Sequence, residues 1–413
     1  MSSVSKPLLG AVVAVLLSGT AFAQTAPVEI EVIHAMAGDS AAPSLNLLIQ
    51  NFEASGQYKW KDNAIAGGAK ARQTMANRAV GGDPGAVNQV HSPLVFRELV
   101  DAGLMVPVSP EGWQDLEKVF PPALWSQMVA ADGSGLIWTP NAMGLHNVGI
   151  YNADALAAVG MEPPESIDDV FAFLDAIKAK GDMIPLAWSE VPAQMLQVFM
   201  GTTAAAGGPA TYNALFAAGD AAAIDTPEFR KVAETFKRLK AYTDEGRVGR
   251  THQDAATMVV GDQAAMQYMG SHVLNVYISA GAEAGVDYVC RSVGGVAVLG
   301  PNGFMYGKPK DDAQVGGQQA YVNMITDPAV QSGFAALAGS LPVRTDADTS
   351  GSNKCTTAAA VALENPGNVV LDPSLTMSQN IQGLVTDAIV GFWADDAMTV
   401  DTFVANVQSA LQS

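Results

Sequence analysis

Five histidines, His34, His91, His146, His252 and His272, carry the side chains whose ordinary pKa lies near neutrality. They are therefore the first candidates for proton transfer, metal ligation or two-way hydrogen bonding. Their separations match no metal motif, and His-Glu-x-x-His does not occur. Taken singly, each predicts a surface position or a hydrogen-bonded place in the interior. The 41 acidic residues could supply a carboxylate pair for glycoside hydrolysis, but no spacing singles one pair out. Neither a glycine-rich phosphate loop nor a Gly-x-Ser-x-Gly nucleophile turn is found. Cys290 and Cys355 are too far apart in sequence to be half of a paired-cysteine metal site. Catalysis thus has no positive support. The expectation is a binding protein with no metal and no cofactor.

The elements that position such groups belong to a large folded chain. At 413 residues it exceeds the size at which one hydrophobic core keeps growing, so two lobes are expected. Charged residues are only 15% against 49% hydrophobic, which argues against long disordered segments. A net charge of −19 disfavours a nucleic-acid surface or an anionic membrane face. The first residues place Lys6 before an apolar run from Leu8 to Leu17 and then Ala21-Phe22-Ala23. That is the layout of a secretory signal peptide spanning 1–23, the apolar run being shorter than the ~20 residues that span a bilayer. The mature chain is expected to start at Gln24, and with no Cys there a lipid anchor is not predicted. Export favours a disulfide between Cys290 and Cys355, two buried free thiols being the alternative. Closing a loop of that length stabilises by about 4 kcal/mol.

Strand and helix signals alternate along the chain. Val28-Glu-Ile-Glu-Val-Ile33 reads as a strand, and Ser44 to Ser55 carries Leu45, Leu48, Ile49 and Phe52 at helical spacing. Gly85 to Val90 reads as a second strand and Leu94 to Ala102 as a helix stopped by Gly103. Ser166-Ile-Asp-Asp169 predicts a capping box, and Thr226-Pro227-Glu228 opens another helix. The texture is α/β, and no Pro/Gly/Ser-rich linker separates the lobes.

From Gln24 onward the chain resembles the family-1 extracellular solute-binding proteins of ABC importers, most closely the glucose/mannose-type carbohydrate-binding members. The resemblance rests on Lys59-Trp-Lys-Asp62 with Ala66-Gly-Gly68, Gly82-Asp-Pro-Gly85 with Gln89, and Asp101-Ala-Gly-Leu104. It continues through Gly149-Ile-Tyr-Asn152, Gly160-Met-Glu-Pro-Pro164, Ile184-Pro-Leu-Ala187, Ala256 to Met266, Asp287-Tyr-Val-Cys290 and Ser340-Leu-Pro-Val-Arg344. It implies a two-lobed clamshell of the maltose-binding-protein class that closes on its ligand. The lobes are expected at 24–138 plus 292–342 and at 139–291 plus 343–413, with crossovers near 138–141, 290–292 and 342–344. It also implies a monomer in the periplasm that works with a membrane permease and its ATPase. The chain departs from its relatives where they carry tryptophan: His34-Ala-Met36-Ala-Gly-Asp39 replaces His-Trp-Trp, Pro192-Ala-Gln194 replaces Pro-Trp-Gln, and His252 and His272 replace later tryptophans. Gln89, Asn147, Gln194, Asn302 and Lys308 stand at matching polar positions. The ligand-binding set implied is therefore His34, Met36, Asp39, Gln89, His91, Asn147, Gln194, His252, His272, Asn302 and Lys308, with Trp188 as the replacement stacking ring and core packing as its alternative. Such a set suits a sugar, a polyol or an acidic sugar derivative. A secreted carbohydrate-active hydrolase and a clamshell sensor feeding a receptor are the competing functions.

Overall fold

The computed structural model describes residues 26–360 and 366–413, so the expected signal peptide lies outside the described residues. Among the described residues ten strands fall into two sheets. In the first, β1 (Val28–His34) lies between β2 (Tyr58–Ala64) and β3 (Val87–Val90), parallel to both, in the register Val28 to Tyr58 and Val32 to Val87. The chain runs from β1 through helix α1 (Ala42–Glu53) to β2, then back through α2 (Gly68–Val80) to β3 on the other side of β1. In an open α/β sheet that reversal leaves a crevice at the carboxyl ends of the strands. β1 carries an alternating pattern only at its start. From Val32 to His34 every residue is buried, as befits a parallel strand covered on both faces. Pro43 in the first turn of α1 supplies a helical φ, and Leu48 and Phe52 turn inward four residues apart.

β4 (Trp138–Leu145) and β9 (Ala297–Tyr306) pair antiparallel along their whole length, and β9 also pairs with β3. These two long strands carry the chain between two hydrophobic cores. Trp138, Ala142 and Phe304 belong to the first core; Leu145 and Val298 belong to the second. The second sheet has the order β6 (Ile184–Ala187), β7 (Ala264–Met269), β5 (Val148–Asn152), β8 (Tyr288–Ser292), with β10 (Val369–Leu371) on the outer edge of the first. Its helices show the expected caps. Ser166 and Asp169 form a full capping box on the helix Ile167–Lys180, which stops at Gly181 in the left-handed conformation (φ 73°). Thr226 caps Pro227–Leu239. The predicted helix over 94–102 is instead a 3₁₀ turn, Pro93–Phe96, followed by a short helix, Arg97–Asp101. Ser92 caps the 3₁₀ turn by accepting from Leu94 N, which starts the chain on the tighter spiral.

Cys290 and Cys355 form a disulfide, with Cα atoms 5.0 Å apart, that pins β8 to the helix Lys354–Ala359. Among the described residues no helix is long and apolar enough to cross a membrane.

Candidate functional site

The carboxyl ends of β1 and β3 deliver His34 and His91 to one edge of the first sheet. The antiparallel register of β9 puts Asn302 and Gly303 at that same edge, because Val90 faces Gly303. The second sheet turns its corresponding edge the same way, with Val148 facing Met269 and His272 following two residues after Gly270. His146, between β4 and β5, bridges the two edges.

Four of the five histidines meet here. The rings of His252 and His272 are 4.9 Å apart at 80°, and those of His146 and His272 are 6.2 Å apart at 82°. His91 is close enough to His146, Arg72 and Asp372 for their charges to act on it. Burial disfavours the imidazolium form and pushes His91 and His252 down to about 4, and His272 well below its ordinary value. His91 and His272 are nevertheless solvent-exposed. Both rings are thus reached by solvent while crowded by protein on their other sides. Asp372 sits 2.8 Å from His146 Nδ1; burial raises its pKa, but the bond and charge of His146 outweigh that and hold it at about 2. Gly300 makes room for His146, since a Cβ there would collide with the imidazole ring.

Further polar groups line the second-core side. Gln194 accepts from Ser189 Oγ and contacts His252 Nδ1 through Nε2, which orients the imidazole from the first turn of the helix Pro192–Thr202. One turn later Gln197 brings Nε2 to 2.6 Å, and His272 brings Nδ1 to 2.7 Å, from the point a Cβ on Gly270 would occupy, so a larger residue there would push both side chains aside. On the first-core side Arg72, in α2, is half-buried without a hydrogen bond or ion pair among the described residues.

The remaining expected residues fall elsewhere or do other work. His34 is sealed, its Nε2 2.7 Å from Asp62 Oδ1 and its ring beside Trp60, because His34 and Asp62 share one face of the β1–β2 pair. Gln89 Oε1 accepts from Ala35 N at 2.8 Å and so fixes the loop leaving β1. Met36 packs partly buried against the first core, and Asp39 is exposed on the turn before α1. Asn147 is fully buried; its Nδ2 donates to Val296 O and its Oδ1 accepts from Val298 N, so both ends of its amide clamp β9. Asn302 lies opposite the bulge at Asn141, and the side-chain oxygens of both are buried without a partner. Trp188 presents no ring face to the crevice: it is 2% exposed and stacks at 4.1 Å and 6° on Trp393 inside the second core. Lys308 is at the wrong end of the first sheet, because β9 runs antiparallel and its carboxyl end leaves beside Leu104 and Gly85. Arg72, Gln197 and Asp372 were not indicated by sequence, and His146 was the one histidine left out of the expected ligand set. Residues 146 and 372 meet across a separation of 226, which no local pattern reveals.

A separate recess of about 290 Å³, lined by Asn152, Asp154, Asp262, Tyr277 and Tyr288, opens at the far edge of the second sheet and holds none of these groups. Among the described residues no cluster of three or more His, Cys, Asp or Glu side chains is arranged to hold a metal ion.

The family described as bacterial extracellular solute-binding protein matches residues 48–363. A protein of Brucella melitensis described as a probable sugar-binding periplasmic protein is 28% identical over 361 residues, 84% of this chain and 83% of its own. One of Rhizobium meliloti with the same description is 28% identical over 344 residues, 81% and 80% of the two chains. Among solved structures, a chitin oligosaccharide binding protein superposes with a TM-score of 0.76 at 17% identity, covering 94% of this chain and 98% of that one. A maltose-bound protein of T. maritima superposes with a TM-score of 0.72 at 15% identity over 93% and 99%. The fold is therefore that of the two-lobed clamshell receptors.

Proposed function

The chain belongs to the bacterial extracellular solute-binding family, and we propose that it is the periplasmic component of an ABC importer, receiving a sugar or sugar-like solute between two lobes. The observation that carries this reading is the convergence of His91, His146, His252 and His272, drawn from both cores, on one crevice. A neutral imidazole offers one donor and one acceptor, and a primary amide offers both, so such a wall can satisfy vicinal hydroxyls in either sense. The relatives described as sugar-binding periplasmic proteins supply the solute class and the compartment.

In this reading the residues around the first core, 26–142 plus 304–343 in outline, form one lobe, and those around the second form the other. The hinge lies where β4 and β9 change cores, between Ala142 and Leu145 and between Val298 and Phe304. A solute that touches both lobes favours the closed state by its differential affinity, and the closed face is what a membrane permease and its ATPase would engage. The wall is built of imidazoles and amides, and Trp188 lies in the core. A heavily hydroxylated solute therefore fits better than one held by ring stacking.

The test is thermal unfolding of the mature chain, with and without hexoses, pentoses, polyols, sugar acids and short oligosaccharides. A solute at 100 times its dissociation constant adds about 2.7 kcal/mol, and recovery of the unchanged solute excludes hydrolysis. A midpoint raised by one member, with no product formed, supports the reading. No shift with any member, or turnover of one, overturns it.

A further inference from the structure

Arg72 has no structural task. Its guanidinium is half-buried, burial lowers its pKa, and no carboxylate among the described residues pairs with it. Arg78, six residues on in the same helix, shows the ordinary outcome, bound to Glu31 at 2.8 Å and Asp83 at 2.7 Å. Removing an ionised group from water without a counter-charge is unfavourable, so the site has a standing preference for an anion. The surroundings increase that preference. Arg72 Nη1 folds back to 3.5 Å from where a Cβ of Gly68 would sit, over the first turn of α2. That turn has no side-chain cap and no acidic residue, so α2 itself brings no negative group to the corner that its positive end shares with the guanidinium. The corner lies at the crevice edge of the first sheet, since α2 starts at Gly68, four residues after the carboxyl end of β2, where Ala64 pairs with His34.

We propose that the crevice is built for an anionic solute, a carboxylate-bearing sugar acid whose carboxylate pairs with Arg72 while the imidazoles of His91, His252 and His272 take its hydroxyls. The inference rests on the solute-binding reading above and narrows it. A guanidinium matches a carboxylate through two parallel N–H···O bonds. A monoanion fits better than a phosphate dianion. Among the described residues Arg72 is the one unpaired cation at the wall, and Asp372, whose charge reaches His91, would repel a second negative charge.

The test compares D-galacturonate and D-glucuronate with their methyl esters, which keep the size and hydroxyls but lose the charge, and with neutral galactose and glucose, by calorimetric titration. A charge-assisted bidentate bond predicts that an acid binds about 10- to 100-fold more tightly than its ester. In Arg72→Gln that ratio collapses toward one, whereas Arg72→Lys retains part of it. Because Arg72 makes no hydrogen bond or ion pair among the described residues and its buried charge is unfavourable, the unliganded Arg72→Gln protein should unfold at or slightly above the wild-type midpoint. If that variant fails to fold, the acid-to-ester ratio of the wild type still decides. An ester or neutral sugar that binds as tightly as the acid, or a ratio unchanged in Arg72→Gln, overturns the proposal and leaves the solute-binding reading intact. Silence from acids, esters and neutral sugars alike overturns the proposal, and the solute-binding reading then stands or falls on the wider panel of the unfolding test.

Discussion

Replacing Asn147 by alanine tests whether this residue holds the hinge or touches solute. Its amide is fully buried and bonds to both Val296 O and Val298 N, the latter at 3.0 Å. Alanine removes both bonds and leaves the Val296 carbonyl, just before β9, and the Val298 N–H, within it, without side-chain partners. Each buried group so stranded costs about 1–3 kcal/mol, giving about 2–6 kcal/mol in all. At about 2–4 °C per kcal/mol for a lobe-sized unit, the unfolding midpoint falls by at least about 4 °C. Urea denaturation should show the same loss as a lower midpoint concentration with an unchanged slope. Asn147→Asp should be no better, since its carboxylate keeps the acceptor for Val298 N but faces Val296 O without a proton to donate. A variant that unfolds within about 1 °C of wild type yet no longer binds solute would refute this, and would return Asn147 to the ligand wall where the family resemblance places it.

Three further outcomes follow from the same geometry. Gly300→Ala drives a methyl into the His146 ring and should cost about 1–3 kcal/mol in urea denaturation; an unchanged midpoint would mean that His146 moves aside freely. Trp188→Ala removes the stack on Trp393 and should cost about 3–5 kcal/mol while leaving solute affinity unaltered; a selective loss of affinity at wild-type stability would make Trp188 a ligand contact after all. Stability should also fall on acidification. His91 and His252 are held at about 4 and His272 well below its ordinary value, so between about pH 6.5 and 4 the unfolded chain binds more protons than the folded one. This contribution is complete above about pH 6.5 and is lost toward pH 4. His252 accounts for at most about 3 kcal/mol of it, and the exposed His91 for less because water screens it. His252→Gln should flatten that part of the pH profile, and an identical slope in the variant would contradict the assignment.

Local chemistry was legible in the sequence. The Ser166 capping box, the Thr226 cap and the alternation in β1 depend on residues a few positions apart, and the folded chain uses them as read. Failures came where long-range topology decides. Lys308 sits eighteen residues after Cys290 in a region expected at the crevice, but β9 reverses direction and carries it to the opposite edge. Trp188 follows β6 closely enough to face the crevice, but Trp393, contributed from the far end of the chain, draws its ring inward. The link between His146 and Asp372, and the isolation of Arg72, exist only once separated segments have packed. A sequence shows which residues can pair, whereas an unpaired arginine is visible only against the whole surrounding wall.

The most direct measurement is hydrogen exchange on the full mature chain with and without a saturating solute. Closure on the histidine-lined crevice predicts slowed exchange in two sets at once: residues 34–36, 68–72 and 91 beside the first core, and 194–197, 252 and 270–272 beside the second. Slowing confined to one set, or to the recess around Asn152, Asp262 and Tyr277, would contradict a ligand held between two lobes.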